Sequence, residues 1–359
     1  MSNWKLIHLN FTKNLAHFGE VGIGLEETQE RVKSDTLFSA LITSYARLFG
    51  KKEVEDLLNQ INQNPHLFRH SSTFIYHRNQ DKFTYYLPKP LLFPKNYPIK
   101  DDLAFTKTYK KLKHLPLTIW QKWYQKADFT QDDIEELTSK TQGKNNSHNY
   151  LAQQGVFDYQ NNFEIKKNPK VAIDRNDSST NFYHTGFVQY NYQDEKEYSG
   201  LYFLINFAEN TKELEIKICA ALHLLAEEGI GGEKSSGAGR FTPEWLELPP
   251  QWQDVINFNQ GDLYSLISLF WNSSISSEII DKSYYEIQER GGWIGSPFSG
   301  RQLRRKMVRM FTEGSVFSTI PQGELADVTP SDFKKVHKVY RSGISLSLPI
   351  QVQLTSISE

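Results

Sequence analysis

The stretch that most constrains the fold lies between Gly200 and Leu248. Gly200 to Phe207 reads GLYFLINF, a dense apolar strand. Thr211 to Glu228 is the clearest helix in the chain, with Leu214, Ile218, Leu222 and Leu225 on one face. Gly229 stops it, and GIGGEKSSGAGRF (Gly229 to Phe241) leads back into a strand from Arg240 to Leu248. A strand, a helix, a glycine-rich loop and a returning strand form half of an α+β sandwich.

The other half lies upstream. WKLIHLNF (Trp4 to Phe11) alternates as a half-buried strand does. SDTLFSALITSYARLFG then predicts a helix capped by Ser34 or Asp35, with Leu37, Leu41, Tyr45 and Leu48 on one face and Gly50 at its end. A short helix from Lys52 to Ile61 follows, then a strand pair, Thr73 to Tyr76 and Phe83 to Tyr86. Lys170 to Asp174 and Phe182 to Tyr192 read as strands around the turn DRNDSST, and Ser139 to Asn149 as a polar, mobile loop. The order β-α-β-β-α-β, with an insertion over about 89–169, is ferredoxin-like. Leu248-Pro249-Pro250 marks a boundary, since two prolines cannot continue a central strand. Residues 250–359 read as a strand-rich second unit, a degenerate copy of 1–249. The expected class is α+β on antiparallel sheets.

Composition narrows the chemistry. The 359 residues hold one cysteine, Cys219, which excludes a disulfide framework and a thiolate metal site. With no signal-like start and no long apolar run, a soluble, cytoplasmic protein is expected. The net charge of −1 is uninformative, but its distribution is not. Lys100 to Lys126 holds seven lysines among aromatics, and Arg290 to Arg309 holds five arginines and a lysine without an acid. The first pattern is commonly a charged helical face and the second a charged edge strand.

The glycine stretch is not a nucleotide loop. A P-loop lies between a strand and a helix, whereas this one follows a helix and precedes a strand. Its Gly237-Ala238-Gly239 also lacks the third glycine and the helix of a dinucleotide fold. Two readings stay open: a clamp in which Lys234, Ser235, Ser236 and Arg240 meet phosphates, or a long turn whose glycines supply positive φ. No GxSxG, HExxH or His/Cys ligand cluster is present. His17 could serve as a general base for RNA cleavage, although a structural or RNA-contacting role is commoner for a single histidine. Asp174 fits an Asx-type turn as well as a metal ligand.

The ordered set HFGE, SDTLFSAL, VAIDRNDSST, GLYFL, GIGGEKSSGAGRF, RGGWIG, EGSVF and YRSGISLSLPI resembles the RAMP-superfamily fourth subunit of the type III-A CRISPR Csm effector complex, over essentially the whole chain. The resemblance implies two ferredoxin-like (RRM-like) domains, no catalytic site, and no cofactor or metal. It implies a grip on the repeat-derived 5′ handle of crRNA. It also implies contacts with a backbone RAMP subunit and with a large subunit carrying a polymerase/cyclase domain. The glycine loop carries over first as RNA-binding: Gly231, Gly232, Lys234, Ser235, Ser236, Gly237, Gly239 and Arg240. His17, Arg175, Trp293, Arg301, Arg304 and Arg305 follow by charge and position. Glu233 departs from the small or basic residues common at that place in RAMP loops, so it is expected to turn away from RNA or pair with Lys234. The alternative function is a metal-independent RAMP endonuclease that matures crRNA with His17 as base.

Overall fold

The computed structural model describes residues 3–20, 24–98, 104–143, 149–173, 180–295, 303–334 and 336–352. In chain order the first part runs β1 (Asn3–Asn10), α1 (Ser34–Gln63), β2 (Phe68–His70), β3 (Phe74–Asn79) and β4 (Lys82–Pro88). A largely helical segment follows: α2 (Thr106–Lys111), β5 (His114–Pro116), α3 (Leu117–Tyr124), α4 (Gln131–Gln142) and α5 (Tyr150–Gln153). Then come β6 (Phe163–Ile173), β7 (Thr180–Tyr190), β8 (Glu197–Phe207), α6 (Lys212–Glu228) and β9 (Thr242–Glu247).

The main sheet is antiparallel, in the order β5-β4-β3-β8-β1-β9. With β1, β3, β8 and β9 as the four strands, and α1 and α6 as the two helices, this is the ferredoxin-like arrangement expected from the sequence. The register Leu6↔Leu204 and Ile7↔Phe203 sends alternate residues to opposite faces. One face packs on α1 and α6 through Ile7, Leu9, Ile75, Leu201, Phe203 and Ile205. The other, with Leu6, Tyr76, Tyr85, Tyr202 and Leu204, is covered by α3, by Trp252 and Val255, and by Leu348 and Ile350. Both faces are buried, so Leu201 to Ile205 of β8 is a continuous apolar run rather than an alternating one. An RRM-type platform of aromatics on an open sheet is therefore not available: Tyr76 and Tyr202 are core residues.

Several local expectations change. α1 continues through Gly50, whose φ of 85° kinks it, so the two expected helices are two arms of one element. Its cap is Lys33, because Ser34 Oγ accepts from the Leu269 amide at 2.9 Å and Asp35 is held by arginines. Leu48 lies outside the apolar face and is exposed. Ser139 to Gln142 belongs to α4, which starts in a Thr130–Asp133 capping box and ends at Gly143 with φ 67°. Residues 144–148 of the expected loop lie outside the described residues. The aromatics between Lys100 and Lys126 are core: Phe105, Tyr109, Trp120, Trp123 and Tyr124 pack together, while Lys122 is paired with Asp133 at 2.5 Å.

The rest of the chain holds α7 (Pro250–Ile256), β10 (Leu263–Leu266), α8 (Ser277–Asp281), β11 (Ile287–Arg290), β12 (Val308–Phe311), β13 (Val316–Phe317), β14 (Leu325–Asp327), β15 (Tyr340–Ser342) and β16 (Ser347–Ile350). Its small antiparallel sheets are β13-β10-β16, β11-β12 and β14-β15. Two buried ion clusters tie it to α1 and to the residues just before that helix. Arg290 donates to both oxygens of Asp35 at 2.9 Å and to Glu20, and Arg341 adds a further contact with Asp35. Glu313 accepts from Arg31 at 3.1 Å, from Lys33 and from Ser72. Burial alone would raise the carboxyls of Asp35 and Glu313. Their cationic partners outweigh it and hold both below the ordinary carboxylate range.

Candidate nucleic-acid interface

Three pieces of chain converge beside the open end of α6: residues 15–20 after β1, the glycine loop after α6, and the base of the β6–β7 hairpin. Backbone hydrogen bonds join them. The Gly239 amide donates to the Leu15 carbonyl at 2.7 Å and the Gly232 amide to the His17 carbonyl at 2.8 Å. Ala16 and Val188 exchange amide–carbonyl bonds at 3.0 and 2.8 Å. Inside the loop, Ile230 donates to Gly239, Ser236 to Glu233 and Gly237 to Lys234.

The glycines make this closeness possible. Gly231 has φ 98°, and a Cβ there would lie 2.3 Å from the His17 carbonyl oxygen. Gly239 has φ 81°, and its Cβ would lie 2.1 Å from the Ile230 carbonyl oxygen. Both close approach and positive φ are required, which only glycine supplies. Much of the loop's amide capacity is thus spent internally, and what faces outward are side chains. Lys234, Ser235, Ser236 and Arg240 are exposed, all in one short stretch held on a rigid base.

His17 is not on the surface. It is 6% exposed, its Nδ1 lies 2.7 Å from the Gly186 carbonyl oxygen, and its ring sits edge-on to Phe187. Because a carbonyl can only accept, Nδ1 carries the proton of that bond. A Cβ on Gly232 would come 2.7 Å from His17 Cδ2, so the ring is clamped between the loop and β7. His8 is likewise built in, stacked on Tyr76 and 3.1 Å from the Tyr85 hydroxyl. Glu233 does not pair with Lys234. It forms an ion pair with Lys170 of β6, which holds its carboxyl below the ordinary value, and Ser236 Oγ donates to its carbonyl at 2.8 Å.

The second group of candidates behaves differently. Trp293 is 51% exposed and carries the Arg304 guanidinium over its ring at 4.9 Å, while Arg305 Nε donates to the Trp293 carbonyl at 3.0 Å. Arg304, Arg305 and Lys306 precede β12 and lie outside any strand. Arg290, counted with them as surface charge, is buried, and Arg309 is paired with Glu289 at 3.2 Å. Arg175 and Arg301 lie outside the described residues, as does Asp174. Glu20 joins the two groups, since the segment that brings His17 to the glycine loop ends in the carboxylate bonded to Arg290 and to Gln288.

Sequence reasoning missed Lys170, Lys166 and Phe187. On the hairpin, Lys170↔Tyr183 and Lys166↔Phe187 are paired residues on one face, and the Lys170 ammonium lies 5.6 Å from the Phe187 ring centre. The signal was the interleaving of basic and aromatic residues at even spacing, and the register buries Phe187 while leaving Lys166 and Lys170 partly exposed. Among the described residues no group of three or more His, Cys, Asp or Glu could hold a metal ion, and no helix is long and apolar enough to cross a membrane.

Comparison with known proteins agrees over the full length. The CRISPR Csm4 C-terminal domain matches residues 259–350. The CRISPR system Cms protein Csm4 of Methanocaldococcus jannaschii is 26% identical over 371 residues, covering 93% of this chain and 94% of the relative. Its namesake in Streptococcus thermophilus is 23% identical, covering 92% and 94%. Among solved structures, the crystal structure of a Csm3–Csm4 subcomplex of the type III-A CRISPR-Cas interference complex aligns with a TM-score of 0.59 at 20% identity, over 97% of this chain and 99% of that one. A Csm1–Csm4 cassette in complex with AMPPNP aligns at 0.51 and 16% identity, over 98% and 99%. At such identities the two structures speak for the shared fold, and the curated relatives make the chain similar to Csm4 proteins along nearly its whole length.

Proposed function

We propose that this chain is a non-catalytic subunit of a type III CRISPR-Cas interference complex that holds the 5′ repeat-derived handle of crRNA. In the complex it joins a backbone RAMP subunit, as in the Csm3–Csm4 pairing of its structural relative, to a large subunit of the Csm1 kind. The observation that carries this reading is the glycine loop itself. Its backbone is locked onto residues 15–18, and Lys234, Ser235, Ser236 and Arg240 are left facing outward. Fixed hydroxyl and cationic donors of this kind position a phosphodiester chain without reading its sequence.

The test is the RNA that accompanies the assembled complex. Sequencing should recover RNA enriched in repeat-derived 5′ ends, and random RNA would overturn the assignment. Lys234→Glu with Arg240→Glu should strip RNA from the complex. Unchanged occupancy would assign the loop to protein contacts instead. The buried ring of His17, bonded through Nδ1 to the Gly186 carbonyl and packed edge-on to Phe187, supports a positioning role over a base. The purified chain should leave repeat RNA intact in chelator, and cleavage that disappears in His17→Ala would restore the endonuclease reading.

A further inference from the structure

Glu233 is the odd residue of the loop. It adopts φ 58°, a left-handed conformation unfavourable to a side chain of this size, and its carboxylate reaches across to the hairpin rather than to solvent. There it meets the Lys170 ammonium, and Ser236 Oγ lies 3.4 Å from the same oxygen, Oε2. The walls of the place are fixed. Lys170 lies on the Phe187 ring, Phe187 lies against His17, and His17 is wedged onto Gly232. An oxyanion thus sits between an ammonium and a hydroxyl, a few residues from Lys234.

We propose that Lys170 and Ser236 form a phosphodiester seat for the RNA backbone, and that in the unbound chain the Glu233 carboxylate occupies it as a built-in substitute for the phosphate. This rests on the glycine loop being an RNA surface and adds a residue from a separate element, the hairpin, to that surface. Ammonium and hydroxyl donors of this geometry serve a carboxylate and a phosphate alike. Exchange of one anion for the other keeps Lys170 neutralised in both states, so the seat is never an unpaired charge against an aromatic wall. Glu233 weakens RNA that does not displace it, and the loop and hairpin stay joined until the strand arrives.

The test is anisotropy of a fluorescein-labelled single-stranded RNA of repeat sequence on the full chain, over roughly 50 to 200 mM salt. Even at the worth of a surface ion pair, about 0.2–1 kcal/mol or roughly a 1.4- to 5-fold change, losing the competing carboxylate in Glu233→Gln should tighten binding by that factor. Lys170→Gln should weaken binding and flatten the logarithmic salt dependence by about 0.7. The gain from Glu233→Gln should shrink once Lys170 is already glutamine, which separates the pair from a general loss of negative charge. Binding by Glu233→Gln no tighter than wild type at an unchanged melting temperature overturns the seat, as does wild-type binding by Lys170→Gln. Should Glu233→Gln loosen the fold, Glu233→Asn, which suits the left-handed backbone, takes its place. If Lys234→Glu with Arg240→Glu leaves the same RNA bound, the loop reading fails and the seat with it. If that pair abolishes binding while the Glu233 and Lys170 variants do nothing, only the seat fails.

Discussion

The glycine loop and the arginine-rich ribbon of β11–β12 both look like nucleic-acid surfaces in the sequence, yet the fold treats them in opposite ways. In the loop, the backbone satisfies itself and the cations Lys234 and Arg240 remain exposed. In the ribbon, Arg290 is buried on Asp35 and Glu20, Arg309 is paired with Glu289, Arg304 lies on Trp293, and Arg305 is bonded to a carbonyl. A run of like charges without acids in the local sequence finds its acids in distant elements. Counting charge along a chain measures what must be neutralised, and the fold decides whether RNA or protein does so.

The sharpest way to break the comparison is Arg290→Ala. If the ribbon's arginine is structural, this substitution leaves the Asp35 carboxylate buried with Arg341 as its remaining guanidinium partner. It should lower stability by about 3–5 kcal/mol in urea unfolding, while RNA binding per folded molecule is unchanged. A loss of RNA affinity at full stability would place Arg290 with the loop instead.

Acid should loosen the packing under α1 before it reaches the ion clusters that anchor the ribbon. His70 stacks on Phe38 of α1, one turn beyond Asp35, and burial pulls its pKa down to about 4 from an ordinary 6.5. The unfolded chain therefore binds this proton first. The stability is complete above pH 6.5 and is lost as pH falls toward 4, by about 3 kcal/mol in all. Asp35 and Glu313 add their losses only below the ordinary carboxylate range, because their folded values are depressed. Urea midpoints at several pH values should show this slope in wild type and lose most of it in His70→Gln.

A smaller effect is expected at the loop's base. Gly231→Ala forces a Cβ onto the His17 carbonyl at positive φ, which should cost about 1–3 kcal/mol and weaken RNA binding together with stability. Smallest of all, Arg309→Ala removes an exposed pair and should change stability by less than about 1 kcal/mol. A large effect there would show that the ribbon's outer face is covered in the molecule.

Much of the fold was legible because its signals are local. The α6 stripe of Ile218, Leu222 and Leu225, the stop at Gly229 and the apolar β8 each follow from a few neighbouring residues. Less legible were the helices of the insertion, where Trp120, Trp123 and Tyr124 owe their burial to distant partners such as Leu92 and Val255. The caps of α1 were misplaced for a related reason. Ser34 and Asp35 have the right chemistry for a cap, and tertiary partners claimed it.

By itself, then, the sequence determined the antiparallel α+β order and the exclusion of a nucleotide loop. Periodicity, glycine placement and element order are properties of neighbouring residues. Only the tertiary structure decided which charges face solvent, that His17 is clamped inside, and that Glu233 reaches Lys170 rather than Lys234. Those outcomes depend on strand register and on contacts between residues far apart in the chain, such as Lys170 with Glu233 and Asp35 with Arg290.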